Sequence, residues 1–248
     1  MRNRFMRNIF VRSFRMYVEN FKIVLLFSVF ALLSLAFIPL FSGYVNAGGG
    51  FLRLSSVFYD ITAPEFFIIV VIGVLSVVFM SLFFAALISI VKLKETLDHV
   101  GYLQVIREFS KYVFRLMGFF LIMYVVQFVL AYVWYLFSIP MGWYHLLIII
   151  IWLPFLFYPQ VVVIDSHGFL ESFRESFRFF LKHPLRTLLV FFVLIALIFC
   201  LLVIEVVLGQ YFVYEHKVIG ALLLSFFVLP FYVILTTEIY MKKYPISG

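Results

Sequence analysis

The sequence predicts an all-α integral membrane protein that crosses the bilayer six times. Of its 248 residues, 66% are hydrophobic and 12% are charged, against about 45–50% and about 25% in soluble domains. Six apolar runs each approach the roughly 20 residues that a membrane-spanning helix needs. The basic residues are grouped in segments between pairs of these runs. We therefore expect lipid, rather than one water-surrounded core, to accommodate much of the apolar surface.

The six apolar runs define the expected spans. Short connections follow the third and fifth runs, so successive pairs of spans are expected to form hairpins. The expected spans are Ile23–Phe41, Phe66–Val91, Val113–Phe137, Leu146–Ile164, Leu185–Leu208 and Val218–Tyr240.

Basic residues divide sharply between the two expected sides of the membrane. Seventeen of the nineteen Lys and Arg residues fall into four clusters, and only Arg53 and Lys217 lie elsewhere. Because basic loop residues stay on the cytoplasmic side, this division predicts a multi-pass cell-membrane protein with both termini in the cytoplasm. The clusters are Arg2, Arg4, Arg7, Arg12, Arg15 and Lys22; Lys92, Lys94, Arg107, Lys111 and Arg115; Arg174, Arg178, Lys182 and Arg186; and Lys242 and Lys243.

Each of the first three basic clusters is expected to form an amphipathic helix that precedes a hairpin. In the third, apolar residues recur at spacings of three and four, which places them on one helix face. Glu171 with Arg174, and Glu175 with Arg178, can pair across one turn of the other face. Such a helix is expected to lie along the cytoplasmic interface with its apolar face toward the membrane. The apolar face comprises Phe169, Leu170, Phe173, Phe177, Phe180 and Leu181.

The three helix-plus-hairpin units are interpreted as repeats within a single domain, 1–248. Their limits are roughly 1–91, 92–164 and 165–241. Ser13–Asn20 aligns without gaps to Ser176–His183 and shares Ser-Phe-Arg with it, and Arg107–Tyr112 is a weaker middle copy. Weak internal symmetry of this kind is detectable in many membrane proteins. A chance match in a sequence of such biased composition is the alternative.

The end of the fourth span and the segment after it carry a motif. It comprises Pro159, the run Val161–Ile164, Asp165, Ser166, His167, Gly168, Glu171, Ser172, Phe173, Ser176, Phe177, Arg178, His183 and Pro184. The motif resembles the membrane domain that accompanies some glycerophosphodiester phosphodiesterases, and related prokaryotic six-span families of unknown function. In those families Asn usually precedes the final proline, and Ala usually stands at the position of Phe173. The resemblance implies a membrane domain without its own catalysis, because the diesterase activity belongs to a separate soluble barrel.

Physical chemistry gives the motif residues structural roles. Asp165 or Ser166 is expected to cap the first turn of the inner helix. Gly168 is expected to permit a tight exit from the fourth span. Pro184 is expected to start the fifth span, at a position where a missing N–H costs little.

Two acidic residues lie within or near the expected hydrocarbon region. Glu205 is a candidate intramembrane polar site that could bind a cation or proton in a transport pathway. The preferred interpretation is that its carboxylate reaches the outer headgroups a few residues away. Glu238 is expected to pair with Lys242, one turn further on.

Signals for catalysis are weak. Glu95, Asp98 and His99 are spaced by three and four on an expected helix, and Asp165 and His167 are expected at a similar inner depth. A metal site built from these residues is conceivable, since carboxylate and imidazole suit several divalent ions. A lipid-modifying enzyme would have to bring together Asp98, His99, Asp165 and His167. Such residues at membrane exits are normally solvated or act as helix caps. The chain has no Gly-rich phosphate loop, GxSxG elbow, HExxH or paired-Cys cluster. We expect no enzyme activity, no metal and no cofactor.

The sequence thus predicts a non-enzymatic membrane scaffold, assembly factor or lipid-organising protein with a sealed bundle. Its basic helices are expected to contact anionic lipid, at about 1 kcal/mol for each basic residue near the surface, or a cytoplasmic or membrane protein. The net charge of +7 is spread over membrane-flanking segments, so nucleic acid is not expected. The alternatives are a transporter or channel that uses Glu205, and a lipid-modifying enzyme. The expected contact residues are Arg12, Arg15, Arg174, Arg178 and Lys182.

Overall fold

A computed structural model describes residues 2–46, 63–97, 99–137, 141–211 and 215–242. These residues form helices and short turns, and no strand occurs within the described ranges. The all-α prediction is confirmed. An α-helix satisfies its backbone hydrogen bonds within one segment, which is what long apolar runs require in lipid.

The helices are labelled in chain order. A 3₁₀ turn, Leu153–Phe155, lies between the sixth and seventh helices, and a π-helical turn, Leu224–Val228, joins the tenth to the eleventh. The helices are α1 (Arg2–Glu19), α2 (Phe21–Asn46), α3 (Ala63–Lys94), α4 (Tyr102–Phe109), α5 (Val113–Leu136), α6 (Met141–Trp152), α7 (Tyr158–Ile164), α8 (Phe169–Lys182), α9 (Pro184–Gly209), α10 (Glu215–Leu223) and α11 (Leu229–Met241).

Four helical segments are long and apolar enough to cross a membrane: Val70–Lys94, Leu146–Ile164, Pro184–Gly209 and Val218–Met241. Two further pairs of helices are long and apolar enough to cross a membrane only if each pair is taken as one span. These pairs are α1 with α2, bent by 91°, and α4 with α5, bent by 59°. The described residues therefore contain four to six candidate spans, as expected for a multi-pass membrane protein.

The core lies where α3, α7 and α11 pack against one another, and we call these three the central helices. Leu87, Val162 and Ile234, one from each, are fully buried. In contrast, only 17% of the most apolar window in Pro184–Gly209 is buried, and Phe199 on this helix is exposed. Exposed apolar surface of this extent is typical of contact with a membrane or with another protein.

The short helices α1, α4 and α8 each pack against one of the central helices. α4 packs on α3, α8 packs on α7 and on the 3₁₀ turn before it, and α1 packs on α11. α4 and α8 thus each contact the central helix that precedes them along the chain, and α1 contacts the last central helix. α3, α7 and α11 terminate at the same end of the bundle, and we call it the basic end.

The first and third short helices keep the register of their sequence alignment. α1 ends at Glu19 and α8 ends at Lys182, two positions that the ungapped alignment pairs. Ser13 and Ser176 are both buried within these helices. This agreement supports a relation between the first and third units, and the threefold division stays a prediction.

Candidate functional site at the basic end

Each central helix carries one buried polar residue at the same place in a short pattern. These residues, Ser89, Gln160 and Thr236, are 0%, 1% and 1% exposed. The Gln160 amide donates a hydrogen bond to the Thr236 hydroxyl across 2.9 Å. In the sequence, a Leu-x-Phe triplet begins at the same distance before each of the three polar residues, a signal that hydrophobic periodicity does not reveal. The triplets are Leu82-Phe83-Phe84, Leu153-Pro154-Phe155 and Leu229-Pro230-Phe231.

Two of the short helices supply hydrogen-bond donors to irregular parts of the spans. The Ser176 hydroxyl of α8 donates to the Pro154 carbonyl oxygen in the 3₁₀ turn across 3.0 Å. The Tyr17 hydroxyl of α1 donates to the Phe226 carbonyl oxygen in the π-helical turn across 2.7 Å. Irregular helical turns leave backbone groups without their regular partners, and a buried unpaired carbonyl is costly. The short helices therefore stabilise the spans on which they pack.

Lys92 at the end of α3 joins three helices. Its ammonium group lies 2.9 Å from a Glu108 carboxylate oxygen, and it donates to the Val163 carbonyl oxygen of α7 across 2.8 Å. It also lies 3.0 Å from the Tyr112 hydroxyl. The last carbonyls of a helix have no partner within the helix. Lys92 therefore satisfies the end of α7 and attaches α4 to both central helices.

The other two pairs of central helices are also joined at the basic end. The Tyr240 hydroxyl of α11 donates to Asp165, directly after α7, across 2.6 Å. Arg12 of α1 lies 3.1 Å from Glu238 of α11 (Nε to Oε2) and also pairs with Glu95, directly after α3. Together with the contacts of Lys92, these bonds link each of the three central helices to the other two.

The turn after α7 departs from its expected capping. The N-cap of α8 is Gly168, without a side-chain cap, so the expectation that Asp165 or Ser166 caps this helix is wrong. Asp165 instead accepts the bond from Tyr240. Ser166, with φ 58°, adopts the left-handed conformation, whereas Gly168 has φ −63°. The sharp exit expected of the glycine is therefore made by the serine, whose positive φ is uncommon for a residue with a Cβ atom.

The remaining motif residues lie at helix starts and contacts. Pro184 is the first residue of α9, as expected. Pro159 is buried in the first turn of α7. Arg115, at the start of α5, donates to the His167 carbonyl oxygen across 2.8 Å. The motif therefore marks a turn that neighbouring helices hold in place.

The five basic residues expected to make outside contacts fall into two groups. Arg12 is engaged inside the protein by Glu95 and Glu238. The other four are exposed, and Arg178 makes the expected pair with Glu175. The exposed four are Arg15 on α1 and Arg174, Arg178 and Lys182 on α8.

Exposed apolar side chains occur on all three short helices, each of which also carries an exposed basic residue: Arg15 on α1, Arg107 on α4 and Arg174 on α8. On α8, Leu170 is 79% exposed, whereas Ser172 and Ser176 are buried. The expected apolar face is therefore split, because Phe169 and Phe173 pack on the core, whereas Leu170, Phe177 and Leu181 are exposed. The open apolar residues are Val11, Phe14 and Val18 on α1; Tyr102, Leu103 and Ile106 on α4; and Leu170, Phe177 and Leu181 on α8.

A cleft lies between α1 and the end of α3. Its volume is about 320 Å³, at the lower end of the roughly 300–1,000 Å³ of ligand pockets. Three cations and two carboxylates face it, so both ends of a zwitterion could find partners there. The lining residues are Arg12, Arg15, Met16, Glu19, Lys94 and Glu95.

Glu205 and Glu238 have different environments. A Cβ atom added to Gly220 of α10 would overlap the Glu205 carboxylate, so the Glu205 side chain packs between α9 and α10. Glu238 is 1% exposed beside Arg12, a partner that sequence spacing does not indicate. Burial lowers the pKa of Lys242, the partner expected for Glu238; the glutamate opposes this effect and Arg12 adds to it.

The residues considered for catalysis do not form a metal centre within the described ranges. His167 lies 3.8 Å from Asp165 (Nε2 to Oδ2) and 3.4 Å from Glu171 (Nδ1 to Oε2). In the same ranges, no group of three His, Cys, Asp or Glu residues is placed to hold a metal ion. Asp98 lies outside the described residues, and His99 is exposed.

Comparisons with known proteins do not extend these findings. No protein-family model, curated protein or solved structure matches the chain. The resemblance to the membrane domain that accompanies glycerophosphodiester phosphodiesterases therefore stays a prediction.

Proposed function

We propose that this protein is a non-enzymatic membrane scaffold that organises anionic lipid at the cytoplasmic surface through its basic end. The observation that carries this proposal is the pairing of exposed apolar and exposed basic side chains on α1, α4 and α8. In this proposal the protein crosses the membrane six times and has both termini in the cytoplasm, an orientation that the division of basic residues supports.

The open face of α8 supports an interfacial position. Leu170, Phe177 and Leu181 are exposed, and water would be an unfavourable neighbour for three large apolar side chains in one stripe. Arg174 stands in the same stripe, and long basic side chains can bury their stems while their charged ends reach the headgroups. A helix with these two features lies in the plane of the interface. Anionic headgroups then neutralise its cations.

The packing of the central helices supports a scaffold more than a solute pathway. Their meeting point is filled with side chains such as Leu87, Val162 and Ile234, whereas a pathway needs a polar, hydrated lining. Glu205, the residue that a transport function would use, packs against Gly220. Its carboxylate therefore has a packing role in our proposal.

The test compares lipid retention by the full chain and by a triple variant, Arg174→Gln, Arg178→Gln and Lys182→Gln. Each protein is placed in nanodiscs of equal anionic and zwitterionic lipid, and native mass spectrometry counts the lipids that remain bound. At about 1 kcal/mol for each basic residue, we expect a large loss of anionic enrichment.

The matched control changes basic residues expected on the opposite side, Arg53→Gln and Lys217→Gln. It should keep the anionic enrichment of the unaltered chain. Unchanged enrichment in the triple variant, or an equal loss in the control, would contradict the proposal.

A further inference from the structure

The cleft between α1 and the end of α3 has a charge arrangement that selects its ligand. Arg12 is already engaged by Glu95 and Glu238. Arg15 is exposed at the cleft, and Lys94 and Glu19 are 3.6 Å apart (Nζ to Oε2). The cleft thus offers a cationic side, around Arg15, and carboxylates nearby.

A ligand with a single charge fits this lining poorly. An anion without a cationic group would meet the carboxylates of Glu19 and Glu95, and a simple cation would meet Arg15 and Lys94. Like charges in close contact are unfavourable. A ligand that carries a phosphate and an ammonium group can pair with both sets, and charge-assisted hydrogen bonds are the strong ones.

The kind of ammonium group is also constrained. A primary ammonium has three N–H donors for carboxylate acceptors. A quaternary ammonium has none, and proteins recognise it with aromatic cages. Among the residues that the structure describes, no aromatic ring lines this cleft; apart from Met16, those that line it are charged. The lining therefore favours an ethanolamine-type group over choline.

The position of the cleft fits a lipid headgroup. Lys94 is the last residue of α3, at the end of a candidate span. α1 turns by 91° from α2, as a helix lying across the end of a span must do. Arg15 and Glu19 are on this turned helix. Both walls of the cleft are thus at the end of the hydrocarbon-crossing part of the chain.

We propose that this cleft binds the headgroup of an aminophospholipid of the phosphatidylethanolamine type. Arg15, with Lys94, holds the phosphate, and Glu19, with Glu95, accepts hydrogen bonds from the ammonium. The site rests on the placement of the basic end at the membrane surface proposed above, but it uses other residues and another lipid class than the contact made by α8.

The experiment measures phosphatidylethanolamine, phosphatidylcholine and phosphatidylglycerol binding to the full chain in detergent by native mass spectrometry. We expect phosphatidylethanolamine to bind best at one saturable site. Arg15→Gln and Glu19→Gln should each lower its preference over phosphatidylcholine at least about fivefold, as expected for loss of a charge-assisted hydrogen bond. Arg15→Lys should keep most of the preference. Thermal unfolding should be unchanged, because Arg15 and Glu19 are exposed.

The matched control is Lys182→Gln, which removes an exposed cation from α8 and should leave the preference intact. Soluble glycerophosphoethanolamine is the second arm: displacement of the lipid at similar concentrations would assign the site to a free headgroup compound and overturn the lipid proposal. Equal binding of ethanolamine and choline lipids, tighter binding of phosphatidylglycerol, or full preference in the Arg15→Gln, Glu19→Gln double variant would also overturn it. If the cleft shows no preference for phosphatidylethanolamine but the α8 triple variant still loses its enrichment of anionic lipid, only the cleft proposal is contradicted and the proposed function stands.

Discussion

The guanidinium of Arg12 lies 3.1 Å from the carboxylate of Glu238, a side chain that is 1% exposed. The contact joins the first short helix to the last central helix, and the same guanidinium pairs with Glu95 after α3. A buried carboxylate without its partner is strongly unfavourable. This ion pair therefore attaches α1 to the last central helix, α11.

Replacing Arg12 should destabilise the fold. Arg12→Gln leaves Glu238 buried without its cation, and we expect a loss of about 2–3 kcal/mol in the free energy of unfolding, below the full cost of about 3–5 kcal/mol because Arg12 is half-exposed. Unfolding by denaturant in detergent measures it. Arg178→Gln, which breaks an exposed pair, should cost less than about 1 kcal/mol. Adding Glu238→Gln to Arg12→Gln should recover part of the loss. If the stability losses of the two substitutions are simply additive, the buried ion pair is contradicted.

Two buried serines on α8 should behave differently. Ser176→Ala removes the donor to the Pro154 carbonyl and should cost about 0.6–1.7 kcal/mol, the range for hydrogen bonds between membrane helices. Ser172→Ala is the matched control, since the Gly168 carbonyl that its hydroxyl contacts also accepts the Ser172 backbone N–H. It should be nearly neutral. Equal melting temperatures for the two variants would exclude a specific role for Ser176.

The hydrogen bond between Gln160 and Thr236 predicts that these two residues contribute to stability as a coupled pair. Thr236→Val removes the partner of the buried Gln160 amide and should cost about 1–3 kcal/mol, because that amide is left unsatisfied. Adding Gln160→Leu removes the orphaned group and should restore much of the stability. Thermal unfolding of both single variants and the double variant gives the coupling energy. Additive losses would show that the two side chains act independently.

The packing of Glu205 can be tested from Gly220. Gly220→Val places a side chain where the carboxylate lies and should cost about 1–3 kcal/mol through overpacking. The same substitution with Glu205→Ala should cost less, since the space is then free. If Gly220→Val costs as much stability with Glu205→Ala as without it, the carboxylate does not occupy this position in the folded protein.

The charge division predicts which side each segment faces. Cysteines at Arg15 and Arg178, in a Cys200→Ala background, should react with a membrane-impermeant maleimide in inside-out vesicles and not in intact cells. A cysteine at Ser138, in an expected outer connection, should show the opposite pattern. The same side for all three positions would contradict the hairpin arrangement.

The length of the apolar runs predicted the bounds of some helices closely, because run length is a local property of the sequence. The fourth expected span, Leu146–Ile164, has the bounds of the corresponding candidate span. The third was expected at Val113–Phe137, and α5 ends one residue earlier, at Leu136. An apolar run of about 20 residues has few alternatives to a membrane helix.

The buried face of α8 could not be predicted in the same way. Periodicity grouped Leu170, Phe177 and Leu181 with Phe169 and Phe173, but only the latter two pack on the core. Because lipid is as apolar as the protein interior, hydrophobicity does not show which face of a helix packs against other helices. Small residues indicate such contacts better. The buried serine of the Ser-Phe-Arg segment was the better signal. The Arg12–Glu238 contact joins distant parts of the chain, which spacing alone does not reveal.

The depth of α8 tests the central claim, that the short helices lie in the membrane interface at the basic end. A spin label at Phe177, in the Cys200→Ala background, is compared by electron paramagnetic resonance with labels at Arg174 on the same helix and at Phe199 on α9. Oxygen partitions into lipid and a nickel chelate into water, so their relative access gives depth. We predict that the Phe177 label lies between the other two, just below the phosphate level. A Phe177 label as accessible to the nickel chelate as the Arg174 label would contradict the claim.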